Sequence, residues 1–333
     1  MGAGHTHEHG HSHGAGGHAH GASADSDKRW LSGALALIVV FMLGEVVVGI
    51  MAGSLALLSD AAHMLTDAAS IVLALWAIRL AARPAAGRMT YGWKRAEILS
   101  AQANGLTLLL LAAWLTYEAI RRLIDPPEVT GGLVLVTALV GIVVNVAASW
   151  MISRANRTSL NVEGAFQHIL NDLFAFIATA IAGVIILLTG FARADGIATL
   201  VVVVLMVKAG IELVRASSRI FLEAAPANLD PTEIGAAMAA VDSVVEVHDL
   251  HIWEITSGSP ALSAHVLVDP GSDCHQARTT LAKLLDDDFH IEHVTLQVDH
   301  ATPSVLQVGD PAHDPHCEDA HGPAHRSPAS PRH

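Results

Sequence analysis

The sequence predicts an α-helical membrane protein of six transmembrane helices followed by a small cytosolic α+β domain. Three observations predict it. The 333-residue chain has a mean hydropathy of +0.44 with only 15% charged residues, too apolar for an ordinary soluble protein. Six apolar stretches are each near or above the roughly 20 residues needed to cross a bilayer. Beyond about residue 228 such stretches cease and the composition turns acidic.

Residues 1–27 are rich in Gly, Ala, Ser and His, with His5, His7, His9, His11 and His13 alternating and His18 and His20 following. A tract of this composition has nothing to bury and is expected to be a disordered, metal-collecting leader. The transmembrane domain then occupies 28–227, with spans at about 31–52, 55–81, 97–122, 131–153, 165–190 and 195–221. Backbone polar groups in hydrocarbon must be satisfied internally, so each span is a helix. The second, third and sixth exceed the bilayer's need and are expected to tilt or to project beyond it.

Basic residues near the helix ends orient the chain. Lys28, Arg29, Arg79, Arg83, Arg88, Lys94, Arg95, Arg154, Arg157, Arg215 and Arg219 fall on the side of the termini, against Arg121, Arg122 and Arg193 opposite. Both termini are therefore expected in the cytoplasm. The first apolar segment follows a long polar leader and lacks a cleavage signature, so no cleavable secretory signal is expected.

Residues 228–302 read as a soluble domain of α-β-β-α-β order. The Asp230-Pro231 start signal opens a helix over 231–241. Strands at 244–256 and 260–268 flank a Ser257-Gly258-Ser259-Pro260 turn, and a helix over 272–287 and a strand over 293–299 follow. Helices on one face of a small sheet bury these patterns most simply. The domain holds thirteen Asp and Glu against Arg278 and Lys283, which disfavours nucleic acid and favours cations as partners. Residues 303–333 read as a disordered, His-containing tail. Cys274 and Cys317 are the only cysteines, which excludes a disulfide framework or a cysteine-rich zinc site.

The most informative feature lies inside the apolar stretches. His63-Met64-Leu65-Thr66-Asp67 and His168-Ile169-Leu170-Asn171-Asp172 are both His-x-x-x-Asp, a spacing that stacks imidazole and carboxylate on one helix face. An Asp at the bilayer centre costs roughly 2.5–3.5 kcal/mol on insertion scales, so the pair costs on the order of 5–7 kcal/mol. A shared cation offsets that cost. Two such helices side by side supply an N2O2 shell, the ligand number of tetrahedral Zn2+. Glu45, Asp60 and Asn145 are candidates for supporting the ligands, carrying a proton or making a helix-packing hydrogen bond, and Asp195 for a helix cap.

The Ser54-to-Asp67 phrase, the Tyr91-Gly92-Trp93-Lys94-Arg95-Ala96-Glu97 loop, His168 to Asp172 and the strand Val247-His248-Asp249-Leu250-His251-Ile252-Trp253 together resemble the cation diffusion facilitator family, in its bacterial zinc-exporting branch, over about residues 28–300. The resemblance implies a homodimer of six-helix protomers in the inner (cytoplasmic) membrane, a ferredoxin-like cytosolic domain, and Zn2+ export coupled to proton entry. His63, Asp67, His168 and Asp172 match the family's transport site; His at 63 rather than Asp points to zinc over cadmium. His248, His265 and Asp299 match one cytosolic zinc position, and His275 a ligand of its neighbour contributed across the dimer. Gln297 stands where the binuclear version has a His, which leaves the second ion open. Arg83, Arg88 and Trp93 occupy a loop that carries acidic and His ligands in some relatives, so that site is expected to be absent. His251, His290, His293 and His300 match no role and read as surface residues.

Zinc requires neutral His and ionised Asp, and an imidazole with a pKa near about 6.5 exchanges protons at cytosolic pH. His63 or His168 is therefore the expected proton carrier, with Asp67 and Asp172 compensating charge, and zinc binding between the acidic domains is expected to draw them together. A membrane metal sensor or buffer would use the same ligands without translocation. A metalloenzyme would need an open coordination position and a general base, and no His-Glu-x-x-His is present. The physiological ion among zinc, cadmium, cobalt, nickel and iron stays open.

Overall fold

The computed structural model describes residues 19–52, 55–125, 131–155, 157, 159–301 and 322–327; within these, the side chains at 19–27, 45, 48–63, 66, 131–134 and 195 lie outside the description. Six long helices come first: α1 (Ala19–Ala52), α2 (Leu55–Ala81), α3 (Ala96–Ile124), α4 (Gly131–Ser153), α5 (Leu160–Thr189) and α6 (Ala194–Phe221). Among the described residues, four stretches are long and apolar enough to cross a membrane: α3, Leu135–Ser153 of α4, α5, and Gly196–Phe221 of α6. Their outward faces carry large apolar side chains such as Leu110, Trp114, Val143, Leu188 and Val204, as a lipid-facing surface requires.

Two boundaries differ from expectation. α1 begins at Ala19, inside the stretch read as leader; Ala and Lys in 19–28 are helix formers, a local preference that a search for apolar runs does not register. α5 begins at Leu160 rather than near 165 because its first turn is polar, with Asn161 and Glu163 ahead of the apolar run. It ends at Gly190, whose left-handed φ of 73° lets its N–H bond the Ile186 carbonyl at 2.8 Å. Asp195 lies within the first turn of α6 rather than at its cap, which is Arg193.

The helices form two packed groups that share α5. Leu31, Ile38, Ile71, Ile78, Ile152 and Ile169 build a core among α1, α2, α4 and α5. Leu108, Val202 and Met206 join α3 to α6, with Ala175 and Ala178 of α5 against them. α3 and α6 approach closely at two glycines: a Cβ on Gly105 would lie 3.3 Å from the Gly210 carbonyl oxygen, and one on Gly210 would lie 3.1 Å from that of Gly105. Small residues at such crossings let backbones meet where hydrophobic driving force is absent.

The second unit runs α7 (Pro231–Ala239), β1 (Val244–Thr256), β2 (Ser259–Val268), α8 (Cys274–Phe289), β3 (His293–His300) and β4 (His325–Arg326), so the expected α-β-β-α-β order is present. Asp230 caps α7 by accepting from Thr232 N at 2.8 Å, with Pro231 opening the helix. β1 and β2 pair antiparallel, β2 and β3 parallel, in the sheet order β3-β2-β1-β4. Ile234, Met238, Leu281 and Leu285 of the helices pack on Val247, Leu262 and Val266 of the sheet. The tail was expected to be disordered, yet β4 pairs with β1, and Arg326 Nε meets Glu246 Oε2 at 2.7 Å. A two-residue strand has no alternation to read; the open β1 edge supplies the reason for it.

The β1–β2 turn reaches the helices. Leu160 N donates to Ser257 Oγ at 3.3 Å and Thr256 Oγ1 to the Lys94 carbonyl at 3.3 Å. Tyr91 stands edge-on to His293, ring centroids 5.9 Å apart. The soluble unit thus sits at the end of the bundle where α2 stops and α3 and α5 start.

Candidate metal centre

The helical spacing of the two motifs does what it predicts on α5, where His168 and Asp172 are one turn apart and both buried. α2 packs against α5 and brings Asp67 to them. His168 Nε2 and Asp67 Oδ1 are 2.8 Å apart, with side-chain exposures of 1% and 6%. Asp67, His168 and Asp172 each offer one ligand atom, and the three atoms lie within 4.8 Å of one another. Among the described residues no other set of three His, Cys, Asp or Glu converges in this way.

The site is held from behind by the helix interiors. Ser70 Oγ donates to the Asp67 carbonyl at 2.8 Å, and Ile71 and Ile169, both fully buried, pack beside it in the shared core. His63 occupies α2 one turn before Asp67, and its side chain lies outside the described residues, as do those of Glu45 and Asp60. Asn145 Nδ2 donates to the Gly141 carbonyl of its own helix at 3.0 Å, the packing role among those considered for it. Of the leader histidines, His5, His7, His9, His11, His13 and His18 lie outside the described residues; His20 falls within α1 but its side chain lies outside the description.

In the soluble unit His248 and His265 are cross-strand partners with ring centroids 5.5 Å apart. Asp299 and His275 do not join them: Gln297 Nε2 donates to Asp299 Oδ2 at 2.9 Å, and His275 is exposed in the first turn of α8. Two carboxylates that the sequence reading did not assign stand nearer. Glu246 Oε1 is 3.5 Å from His248 Nδ1, and Asp249 Oδ2 is 3.6 Å from His265 Nδ1. Asp249 has a φ of 50° where the β1–β2 register shifts. A bulge of this kind re-aims a side chain, and strict alternation cannot foretell it. His300, read as a surface residue, is exposed and contacts Cys274 Sγ at 3.4 Å and the Ser272 carbonyl at 3.0 Å.

Comparison with known proteins gives two family matches. Residues 32–222 match the cation efflux transmembrane domain, and residues 226–301 match the cytoplasmic domain of cation efflux proteins, the ZT_dimer domain. The chain is 36% identical over 280 residues to a cadmium, cobalt and zinc/H(+)-K(+) antiporter of Bacillus velezensis, covering 83% of this chain and 90% of the relative. It is 39% identical over 277 residues to the metal cation efflux system protein CzcD of Cupriavidus metallidurans, covering 83% and 87%. It is 35% identical over 295 residues to the zinc transporter ZitB of Escherichia coli, covering 88% and 91%.

Proposed function

The chain belongs to the cation efflux family, and from that membership we propose that it exports divalent cations from the cytoplasm, zinc foremost, in exchange for protons. It is a multi-pass membrane protein of a transporter family and not an enzyme. The observation that carries the reading is the convergence of Asp67, His168 and Asp172 inside the helical bundle.

Charge arithmetic favours a divalent cation there. Two carboxylates and neutral imidazoles sum to −2, so Zn2+ makes the group neutral overall and removes the cost of leaving carboxylates in the membrane. His63, one turn before Asp67 on α2, supplies the fourth ligand of a closed tetrahedral shell with no position for a reactive water. Ligand atoms about 2.0–2.1 Å from zinc lie about 3.3 Å from one another in a tetrahedron. The 2.8 Å His168–Asp67 pair must therefore part slightly to admit the ion.

That hydrogen bond also supports a coupling to protons. Whichever atom carries its proton, the proton must leave before Nε2 and Oδ1 can both act as ligands. Cation and proton therefore exclude each other at one place, and an ion entering from one side displaces protons that return from the other. Relatives named for cadmium and cobalt as well as zinc support a site that admits several borderline cations, with imidazole favouring zinc over the harder ones.

Around this site six spans with cytoplasmic termini pair as a homodimer in the inner membrane. The cytoplasmic-domain match and the basic helix ends support this arrangement. Residues 1–27 and 303–333 are then a leader and a tail, 28–227 is the transmembrane domain, and 228–302 is a ferredoxin-like regulatory domain. His248, His265 and Asp299, with His275 contributed across the dimer, take zinc there, and zinc draws the domains together. Zinc uptake into inverted vesicles, wild type beside Asp172→Ala, tests the function. Loss of uptake with the protein still inserted supports it, and uptake by the variant at the wild-type rate contradicts it.

A further inference from the structure

Buried polar groups gather where α5 meets both α2 and α3, from the metal centre toward the end of the bundle that meets the soluble unit. On α5 they comprise Asn161 and His168, two turns apart on one helix face, with Asn171 at the level of the metal centre itself. On α3 they comprise Ser100 and Asn104. Asn104 lies against Gly164: a Cβ added there would sit 3.5 Å from Asn104 Nδ2. Gly164 is one turn before His168, so Asn104 stands between the metal centre and Asn161. At the outer end Ser159 Oγ donates to Glu97 Oε2 at 3.5 Å, tying the two helix starts together.

These groups are not packing polar residues of the ordinary kind. Asn145 and Ser217 in the same bundle bond the carbonyls of their own helices, Gly141 at 3.0 Å and Leu213 at 2.9 Å. By contrast Ser100 Oγ, Asn104 Nδ2, Asn161 Oδ1 and Asn171 Nδ2 are buried with no hydrogen-bond partner in the protein. All four residues are at most 4% exposed. Four such groups on one seam are costly unless something other than protein bonds them. Water does so: Asn104 Nδ2 and Asn171 Nδ2 donate to it, while Ser100 Oγ and Asn161 Oδ1 offer oxygens to water or to a partly hydrated cation.

We propose that the seam where α5 meets α2 and α3, lined by Ser100, Asn104 and Asn161 and bordered at its inner end by Asn171, is the hydrated passage through which the cation moves between the soluble-domain end of the bundle and the Asp67–His168–Asp172 centre. The proposal rests on the transport reading above. Asn161 also anchors the passage wall, since its Nδ2 donates to the Ala74 carbonyl of α2 at 3.0 Å. Asn104 lies on the α3 side of the passage, against Gly164.

The test is thiol labelling of the full chain in vesicles. On a Cys274→Ser, Cys317→Ser background, Asn104→Cys and the near-isosteric Ser100→Cys are treated with a membrane-impermeant methanethiosulfonate from either side. Leu110→Cys, at a position on the outward face of α3 that is 73% exposed, is the lipid-facing control. The expected result is labelling from the soluble-domain side at least tenfold faster than the control, slowed severalfold by zinc, with the slowing lost in Asp172→Ala. Fast labelling that zinc never slows supports the passage while contradicting the metal centre. Labelling of both folded variants no faster than Leu110→Cys overturns the passage, and leaves the metal centre standing if zinc binding persists.

Discussion

His168 Nε2 and Asp67 Oδ1 meet at 2.8 Å between α5 and α2, both side chains almost fully buried. Removing one partner leaves the other's polar group stranded, and breaking a buried pair in this way costs about 3–5 kcal/mol. His168→Ala and Asp67→Ala are each expected to lower the thermal midpoint in detergent. The double variant is expected to lose less than the sum, and a double-mutant cycle of melting temperatures measures that coupling.

Zinc should stabilise the folded protein by mass action. At a free concentration of 100 times Kd the gain is about 2.7 kcal/mol, visible as an upward shift in the melting temperature. Asp172→Ala is expected to lose the part of the shift that belongs to the buried centre. Retention of the whole shift would assign zinc binding to the soluble unit alone.

Zinc binding is expected to release protons, because the Asp67–His168 hydrogen bond cannot coexist with two coordination bonds from the same atoms. Affinity then falls about tenfold for each unit by which the pH is lowered, per proton released. Calorimetry in buffers of different ionisation enthalpy reads the number directly, and a heat independent of buffer contradicts the exchange.

The close crossing of α3 and α6 predicts a packing defect. In Gly210→Val the Cβ would approach Leu109 Cγ at 2.8 Å and the Gly105 carbonyl at 3.1 Å, and the backbone contact cannot swing aside. Overpacking of this kind costs about 1–3 kcal/mol. The expected outcome is a lowered melting temperature without loss of zinc stoichiometry.

Truncation after residue 301 removes β4 and the Arg326–Glu246 pair. That pair is exposed on the Arg side, so its loss is worth about 0–1 kcal/mol, and transport should continue. The bared β1 edge is expected to raise aggregation of the detergent-solubilised protein, which light scattering during storage measures.

How far the sequence could be read depended on which physical signal each part left in it. His168 and Asp172 were legible because a four-residue spacing has one meaning on a helix, and α2 and α4 because apolar runs stop where their helices stop. The partner of His168 was less so, since only packing decides which carboxylate of another helix arrives. Ser100, Asn104, Asn161 and Asn171 went unmarked because a lone amide in an apolar helix reads as packing; the shared face of Asn161 and His168 was the available signal. Glu246 and Asp249 beside the paired histidines depended on a bulge, and β4 on an edge made elsewhere in the chain.

Zinc-gradient flux in proteoliposomes, with an internal pH indicator recorded alongside, is the most direct test of Asp67, His168 and Asp172 as the place where cation and proton exchange. Wild-type protein is expected to move zinc one way and protons the other, and Asp67→Ala and Asp172→Ala to move neither while remaining inserted. Zinc flux through either variant at the wild-type rate, or wild-type flux that no proton movement accompanies, would contradict it.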